Sequence, residues 1–403
     1  MPTLQRITSP ARYQMILLTL LVLFSPLGID IYLPALPLIS ETFHVEHALA
    51  KYTITVFLFS MGLGQLFAGP LADRYGRRTV ALGGIILYCL SSLMAWQAHN
   101  IEWMLTARLM QGFGACATSV AAFATVRDVF GADKSGRMIS YLNGAICFIP
   151  ALAPILGSYL TQAFSWRANF SFMVGYSLVA GAFIWRVMTE TNPATEEDKQ
   201  RPTFQMERYW SVIKNPVFLF HASLCMLAMA VILSYVTSAP LVLMERLGLS
   251  MNSFTFWFGI NAALNIVACM TAPKIMDKLG THRAIILGII LLGIAGALMV
   301  LLSGQQSALR FMLPIFISSI GFAWVLGASA GKALAPFGDR AGIAAALLGL
   351  LQMSGSGFIV MAIQSLDVTP YWHITIQMWL LLPGLAILFS PIGKKWHQWV
   401  LEP

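Results

Sequence analysis

The sequence predicts an all-α membrane protein with twelve transmembrane helices in two pseudo-symmetric six-helix halves. Its composition is the first indication: of 403 residues, 58% are hydrophobic and only 10% are charged. A soluble domain carries about 25% charged residues, because its surface faces water. Apolar runs long enough to cross a bilayer as helices also recur along the whole chain. Together these observations exclude a soluble protein with an unusually large core.

The order of apolar and polar segments gives the domain organisation. One long polar stretch separates the sixth apolar run from the seventh, which predicts a first bundle at 1–188, a cytoplasmic linker at 189–214 and a second bundle at 215–403. A short internal echo supports duplication: DRYG at 73–76 follows the second run and DKLG at 277–280 follows the eighth. The twelve spans are predicted at 14–38, 50–70, 78–97, 103–126, 137–163, 168–188, 215–243, 253–275, 283–303, 309–331, 341–365 and 371–393.

The distribution of Lys and Arg predicts the orientation. If the N-terminus is cytoplasmic, 20 of the 25 basic residues lie in cytoplasmic segments, and only Lys51, Arg167, Arg246 and Arg310 lie on the outer side. Both termini are therefore expected on the cytoplasmic side of the membrane. The first apolar run continues past signal-peptide length, so we expect a retained span. Because the basic residues follow topology instead of forming one face, nucleic acid is not an expected partner.

Signatures of an enzyme or a metal site are not found in the sequence. The run His44-Val45-Glu46-His47 has the wrong spacing for a zinc-binding HExxH helix, and the five cysteines have no metal-ligand spacing. We therefore expect no catalytic residue, no metal and no cofactor.

The turn between spans two and three carries the clearest motif. Residues 69–78 read GPLADRYGRR, a tight turn in which glycine frees the backbone and the charges can pair. This resembles the loop motif of the major facilitator superfamily, in which the loop acts as a conformational latch that stabilises the outward-facing state. A simple positive-inside anchor would use the same charges. The resemblance assigns the latch to Gly69, Asp73, Arg74, Gly76, Arg77 and Arg78.

Further stretches resemble one branch of that superfamily. Span five carries Pro150, Pro154 and Gly157, similar to the antiporter motif of drug exporters, although Ala153 and Ser158 replace two glycines. The replacements are small, so close helix packing is preserved. The segments DIYLPALP at 30–37, FATVRDV at 123–129, SWRANF at 165–170 and APFGDRAG at 335–342 are similar to the bicyclomycin/chloramphenicol-resistance (Bcr/CflA) group of twelve-span drug:proton antiporters.

Asp30 and Arg108 are the two charges predicted well inside spans, and such a charge costs about 3 kcal/mol even on lenient insertion scales. The resemblance implies that the acid in span one takes part in proton exchange, so we predict Asp30 as the proton-coupling group. Arg108, which cannot release a proton, would organise the network around it. A static pair in which Asp30 only neutralises Arg108 is the alternative. Gln111 either joins this network, where it is also a candidate substrate contact, or is a polar packing residue.

The resemblance implies that spans one, four, seven and ten line a substrate cavity. This predicts contacts from Tyr32, Tyr235, Ser238 and Trp324, although each aromatic could equally be a packing residue. Asn261 and Asn265 lie four apart on one face of span eight, where they would line a polar pathway or bond a neighbouring helix. His221 could relay protons or pack as a neutral side chain, and Lys332 has no expected role beyond topology.

The expected function is a secondary active transporter, most simply a proton-coupled antiporter that exports small hydrophobic or amphiphilic compounds such as chloramphenicol-like drugs by alternating access. Its partners would be the substrate, protons and the lipid bilayer, and the protein is expected to be a monomer. Export of a natural metabolite or siderophore is an alternative. A proton-symporting importer also fits the fold, although the span-five features favour export.

Overall fold

The computed structural model describes residues 11–191, 206–303, 307–337, 341–366, 368–391 and 393, and it confirms the prediction of an all-helical chain with twelve spans. The helices of the first half are Ala11–Val22, Phe24–Asp30, Leu36–Phe43, His47–Tyr75, Arg77–Trp96, Ile101–Ala163 and Arg167–Val187. Those of the second half are Pro216–Pro240, Met251–Leu279, Thr281–Leu302, Ala308–Leu334, Ala341–Leu350, Ser356–Gln364, Pro370–Trp379 and Leu382–Phe389.

The second span of each half repeats the same local structure. His47–Tyr75 and Met251–Leu279 are both 29 residues long. Each ends at a glycine with positive φ, 94° at Gly76 and 82° at Gly280, and both glycines have ψ of 153°. An L side chain rarely adopts this backbone conformation, so glycine is needed at both turns. The echo noticed in the sequence is therefore a repeated helix-turn unit.

Span one is longer and less regular than the sequence indicates. It extends over Gln14–Phe43 instead of ending at residue 38, and its helix is interrupted after Asp30. Leu33–Ala35 forms a short 3-10 turn before the helix resumes at Leu36. Pro34 and Pro37 explain the interruption, because neither can donate the backbone hydrogen bond that a continuous α-helix requires.

Spans four and five differ from the prediction of two helices with a loop between them. The chain is helical throughout Ile101–Ala163, and residues 127–136 contain no proline to end the helix. The stretch nevertheless reverses direction: Arg108 contacts Gly28, while Gly157, far along the chain, lies against Ile31. The two segments thus return to the same part of span one.

The linker is described only in part. Residues 192–205 lie outside the described residues, and the rest of the linker includes a short helix, Met206–Ile213. Tyr209 in this helix donates a hydrogen bond of 3.3 Å to the Leu66 carbonyl of span two, and it packs in an apolar cluster with Phe218 and Phe337 of the second half. Residues 338–340 of the predicted motif at 335–342 also lie outside the described part of the chain.

The two halves touch at both ends of the bundle. At the end that carries Gly76, Gly349 of span eleven packs against the Gln65 side chain of span two. Nearer the middle, the Ser354 hydroxyl donates to the Phe59 carbonyl at 2.6 Å. At the opposite end, span five meets span eight where Gln162 donates to Asn252 at 3.0 Å.

Candidate proton and substrate site

Arg108 organises the centre of the first half. Its guanidinium is completely buried and donates to three acceptors on three different spans. Nη2 donates to the Gly28 carbonyl at 2.6 Å, Nε donates to the Thr53 carbonyl at 3.1 Å, and Nη1 donates to the Gln111 side chain. A buried charge must be hydrogen-bonded to be tolerated, and here neutral acceptors perform that task. Arg108 therefore joins spans one, two and four.

Aromatic rings close the remaining faces of the guanidinium. Its central carbon lies 4.3 Å from the Phe57 ring centroid and 4.7 Å from that of Tyr32, so cation–π attraction adds to the hydrogen bonds. Gly28 permits this close approach, because a Cβ at that position would meet the rings of Phe57 and Tyr88. The sequence could not reveal this role of Gly28, since its carbonyl is the acting group and carries no side-chain signal.

Two predicted residues join the same network. Gln111 is buried, accepts from Arg108 and donates to the Ser92 hydroxyl of span three at 2.7 Å. Of the two roles considered for Gln111, network membership matches this geometry. The Tyr32 hydroxyl lies 3.0 Å from the Thr53 hydroxyl, and its ring is also buried. Tyr32 therefore packs beside Arg108 in this state.

Asp30 is buried at the point where span one loses its helical geometry. It is the last residue of the helix Phe24–Asp30, and only 5% of its surface is exposed. Within the described part of the chain, no ion pair joins Asp30 to a cationic side chain, including that of Arg108. The alternative of a static Asp30–Arg108 pair thus has no direct contact to support it in this state. A carboxyl group placed in this way can hold a proton as a neutral acid.

The predicted antiporter motif packs directly beside Asp30. Gly157 of span five lies so close to span one that a Cβ would overlap the carbonyl oxygen of Ile31, the residue after Asp30. Pro154 and Pro150 lie within the same helical stretch, one and two turns earlier respectively. Close packing by small residues is therefore observed where the motif predicts it. Spans one and five are held in contact next to the candidate proton-binding group.

The substrate candidates of the second half form a separate polar and aromatic group. Tyr235 is buried on span seven and stacks on Phe258 with ring centroids 5.5 Å apart. Asn261, one turn after Phe258, accepts from the Ser319 hydroxyl at 2.9 Å and so joins spans eight and ten. Asn265 instead accepts from the thiol of Cys269 on its own helix at 3.5 Å. The two asparagines thus have different partners despite their common face.

Several buried polar groups on spans two, seven and ten are not satisfied within the described part of the chain. Among the described residues, the side chains of Ser234 and Ser238 on span seven and Thr55 on span two have no hydrogen-bond partner, and neither does the Trp324 indole N–H. Buried polar groups normally find partners, so such groups indicate places where water or a ligand binds. Ser238 and Trp324, both predicted as substrate contacts, belong to this set of groups.

The loop between spans two and three is a charged turn held by three helices. Asp73 and Arg77 pair at 2.5 Å, and Arg77 also pairs with Asp128 of span four at 3.1 Å. A cavity of about 390 Å³ opens beside these groups and reaches Ala345 of span eleven. The predicted latch residues Asp73 and Arg77 are therefore brought together. Gly69 lies in the helix that precedes the turn, and a Cβ added there would meet no atom of the described residues within 4 Å.

Glu190, after span six, is a member of this turn that the sequence did not indicate. Its carboxylate accepts from the backbone N–H groups of Arg77 at 2.8 Å and Arg78 at 3.1 Å, the first residues of span three. A carboxylate at a helix N-terminus satisfies free N–H groups and the positive end of the helix dipole. The Arg78 side chain in turn donates a hydrogen bond of 2.6 Å to the backbone carbonyl of Trp185 on span six. The loop is thus also tied to span six.

Comparison with known proteins identifies the family. The family model of the Major Facilitator Superfamily matches residues 18–360, which is most of the chain. The chain belongs to the major facilitator superfamily. The multidrug resistance protein MdtL of Citrobacter koseri is 31% identical over 336 residues, 83% of this chain and 84% of that protein. MdtL of Klebsiella pneumoniae strain 342 is 32% identical with the same coverage.

Solved structures confirm the superfamily fold. A crystal structure of a D-xylose-proton symporter matches with a TM-score of 0.76 at 15% identity, covering 94% of this chain and 97% of that one. The human organic anion transporter MFSD10 (TETRAN) matches with a TM-score of 0.67 at 16% identity, covering 94% and 99%. Family and fold together establish a multi-pass membrane transporter of small molecules, in agreement with the expectation that the chain is not an enzyme.

The turn that is typical of the superfamily gives a direct prediction. Gly76→Ala is expected to lower the free energy of unfolding by about 1–3 kcal/mol, the usual cost of a residue in a sparsely populated backbone region. Its φ of 94° disfavours any L side chain, and a Cβ would meet the Glu190 carboxylate. Thermal unfolding in detergent micelles measures the effect.

The matched control for this variant is Gly69→Ala, in the same motif. Gly69 lies inside a helix with nothing within 4 Å of an added Cβ, so alanine there is expected to be neutral or stabilising by about 0.5–1 kcal/mol. Equal effects of the two substitutions would contradict the role assigned to the backbone of Gly76.

Proposed function

We propose that the chain is a proton-coupled antiporter that exports small hydrophobic or amphiphilic compounds, including chloramphenicol-like drugs, from a bacterial cell. The observation that carries the proposal is the buried Asp30, placed at the break of span one and beside the close contact of Gly157 with Ile31. The resemblance to drug exporters and the names of the MdtL relatives support the substrate class. Membership of the bicyclomycin/chloramphenicol-resistance group stays a prediction.

Proton binding at Asp30 would be coupled to rocking of the two halves. The interrupted helix at 31–35 provides a place where span one can bend without breaking regular hydrogen bonds. Arg108 holds the turn before Asp30 in place through its hydrogen bond to the Gly28 carbonyl. A change in the protonation of Asp30 therefore acts on a rigid network and not on a flexible segment. The protonated acid favours one state of the halves and substrate favours the other.

Substrate would bind between the two groups of buried polar side chains. Tyr235 and Phe258 offer a stacked aromatic surface, and Ser238 and Trp324 offer hydrogen-bonding groups without partners among the described residues. Such a site favours planar, amphiphilic molecules with a few polar atoms. The bundles at 1–188 and 215–403 would be the rocking units, joined by the linker at 189–214, in a monomer of the inner membrane with both termini in the cytoplasm.

The test is drug-driven proton movement in liposomes. Purified protein is reconstituted, a pH gradient is imposed, and lumenal pH is followed after addition of chloramphenicol-like or cationic drugs. Wild type is expected to dissipate the gradient when a transported drug is added, and Asp30→Asn is expected to lose that response. Asn has nearly the shape of Asp and cannot exchange the proton, so the variant isolates the chemistry.

Other outcomes of this experiment separate the alternatives. A mutant that responds like wild type would make Asp30 a structural residue and contradict its coupling role. A wild type that gives no signal with any drug, in vesicles shown to contain folded protein, would favour export of a natural metabolite. If the pH gradient is dissipated while the drug moves in the same direction as the protons, the protein is a symporter.

A further inference from the structure

A cluster of charged and titratable side chains joins the two halves at the end of the bundle opposite Gly76, here called the outer end after its predicted orientation. His47 begins span two in the first half, and its Nε2 lies 2.9 Å from Oε2 of Glu245, which ends span seven in the second half. The cluster, called the outer-end cluster, consists of Glu41, His47, Lys51, Glu245, Arg246, Tyr371 and His373.

Lys51, a buried lysine beside the His47–Glu245 contact, is the central cation of the cluster. Only 6% of Lys51 is exposed, and its electrostatic neighbours are Glu245 and Arg246 of the opposite half. Lys51 and Glu245 line the same narrow void of about 10 Å³, enough for one water molecule, together with Pro37 and Thr237. A lysine ammonium is seldom buried without a compensating acid. Glu245 is the compensating acid of the second half, and its attraction to Lys51 acts across the boundary between the halves.

The balance of charge in the cluster depends on the proton of Glu245. As an anion, Glu245 attracts His47 and Lys51 on span two. When Glu245 is neutral, Lys51 still faces Arg246 of span seven, and these like charges then repel across the boundary. His373 on span twelve also faces Lys51 and Arg246, and its protonation in acid adds to the same repulsion.

The remaining members of the cluster do not replace Glu245. Glu41 is a carboxylate near Glu245, but it ends span one in the first half, on the same side as His47 and Lys51. It therefore cannot attract Lys51 across the boundary. Tyr371, near Arg246, is a neutral phenol at ordinary pH. Glu245 is thus the acid whose charge joins the two halves here.

We propose that Glu245 is a proton-binding group of the outer gate: as an anion it holds the two halves together through His47 and Lys51, and on binding a proton it lets them separate. The proposal rests on the alternating access of the proposed function but not on Asp30. An exporter that takes up protons outside would have a second carboxyl group at the outer end, whose proton occupancy sets how readily that end opens.

The test measures the distance between the halves at different pH values. Spin labels are attached to His99→Cys in the first half and Ser303→Cys in the second, both exposed loop residues, after the five native cysteines are replaced by serine. Distances are measured in lipid nanodiscs at about pH 7.5 and about pH 5, a range that spans protonation of histidines and of carboxyls with moderately perturbed environments. Because the nanodisc has no gradient and no drug, the readout does not depend on transport.

The expected result is a long-distance population that grows several-fold on acidification in the wild-type background. Glu245→Gln is expected to show the larger population at both pH values, with most of the pH response lost. Gln162→Ala is the matched control: it removes a neutral inter-half hydrogen bond at the same end, so it should change the population but keep the pH response. Lys51→Gln is a second variant, and it should reduce the population opened by acid because it removes one of the repelling charges.

Two results would overturn the inference. One is a Glu245→Gln variant, monodisperse by gel filtration, that keeps the full wild-type response to acid. The other is closure of the outer end by acid. Asp30→Asn in the same background separates this inference from the proposed function: if that variant alone loses the response, Asp30 is the sensor and the role of Glu245 is refuted while proton coupling stands.

Discussion

Replacing Arg108 with methionine is expected to abolish drug-driven proton movement and to lower the free energy of unfolding by about 3–5 kcal/mol. The change leaves the carbonyls of Gly28 and Thr53 and the Gln111 side chain without their donor in a fully buried region. Each unsatisfied buried acceptor costs about 1–3 kcal/mol, and methionine fills much of the volume without restoring any of the bonds. Thermal unfolding in micelles and proton flux in liposomes measure the two effects.

Arg108→Lys is the informative companion of this variant. It keeps the positive charge, but one ammonium group cannot reach acceptors on three spans as a planar guanidinium does. We therefore expect smaller destabilisation than with methionine, and transport that remains lost. Arg310→Met, at an exposed position, serves as the control and should change stability by no more than about 0.5 kcal/mol. Normal flux in Arg108→Lys would show that the positive charge alone is sufficient for transport and that the hydrogen-bond geometry of the guanidinium is not required.

The features that the sequence predicted well are those set by solvent and chain geometry. Twelve apolar runs must become helices in a bilayer, because every backbone polar group has to be satisfied within its own segment. Asp30 and Arg108 also stood out from the sequence alone, since charges are costly in such segments. Gly76 and Gly280 could be recognised because their turns need a conformation that glycine tolerates best.

Other features depend on tertiary contacts that leave no local signal. Arg108 binds backbone carbonyls of Gly28 and Thr53, and every residue carries such a carbonyl. Glu190 looked like an ordinary acid after a span, although it caps a helix more than one hundred positions earlier in the chain. Pro34 and Pro37 explain the interruption of span one once the structure is known, but the residue at which the helix ends, Asp30, leaves no signal in the sequence.

The position of Asp30 beside the contact of spans one and five leads to the second large prediction. Gly157→Ala is expected to reduce drug-driven proton flux by about 5–150-fold, since this is the loss of population of a state destabilised by about 1–3 kcal/mol. The added Cβ would overlap the Ile31 carbonyl oxygen, which belongs to the backbone and cannot move aside as a flexible side chain would. Spans one and five would have to separate next to Asp30.

Gly144→Ala on the same helical stretch is the matched control, because an added Cβ there meets no atom of the described residues within 4 Å. It should leave both flux and stability nearly unchanged.

The contact at Gly157 occurs in a structure whose halves touch at both ends, a state that alternating access has to pass through. If Gly157→Ala kept normal flux while folded, spans one and five would not need to approach this closely during transport, and the close packing beside Asp30 would be a property of this state alone. If Gly157→Ala loses flux and Gly144→Ala keeps it, proton exchange at Asp30 depends on the close packing of span five against span one.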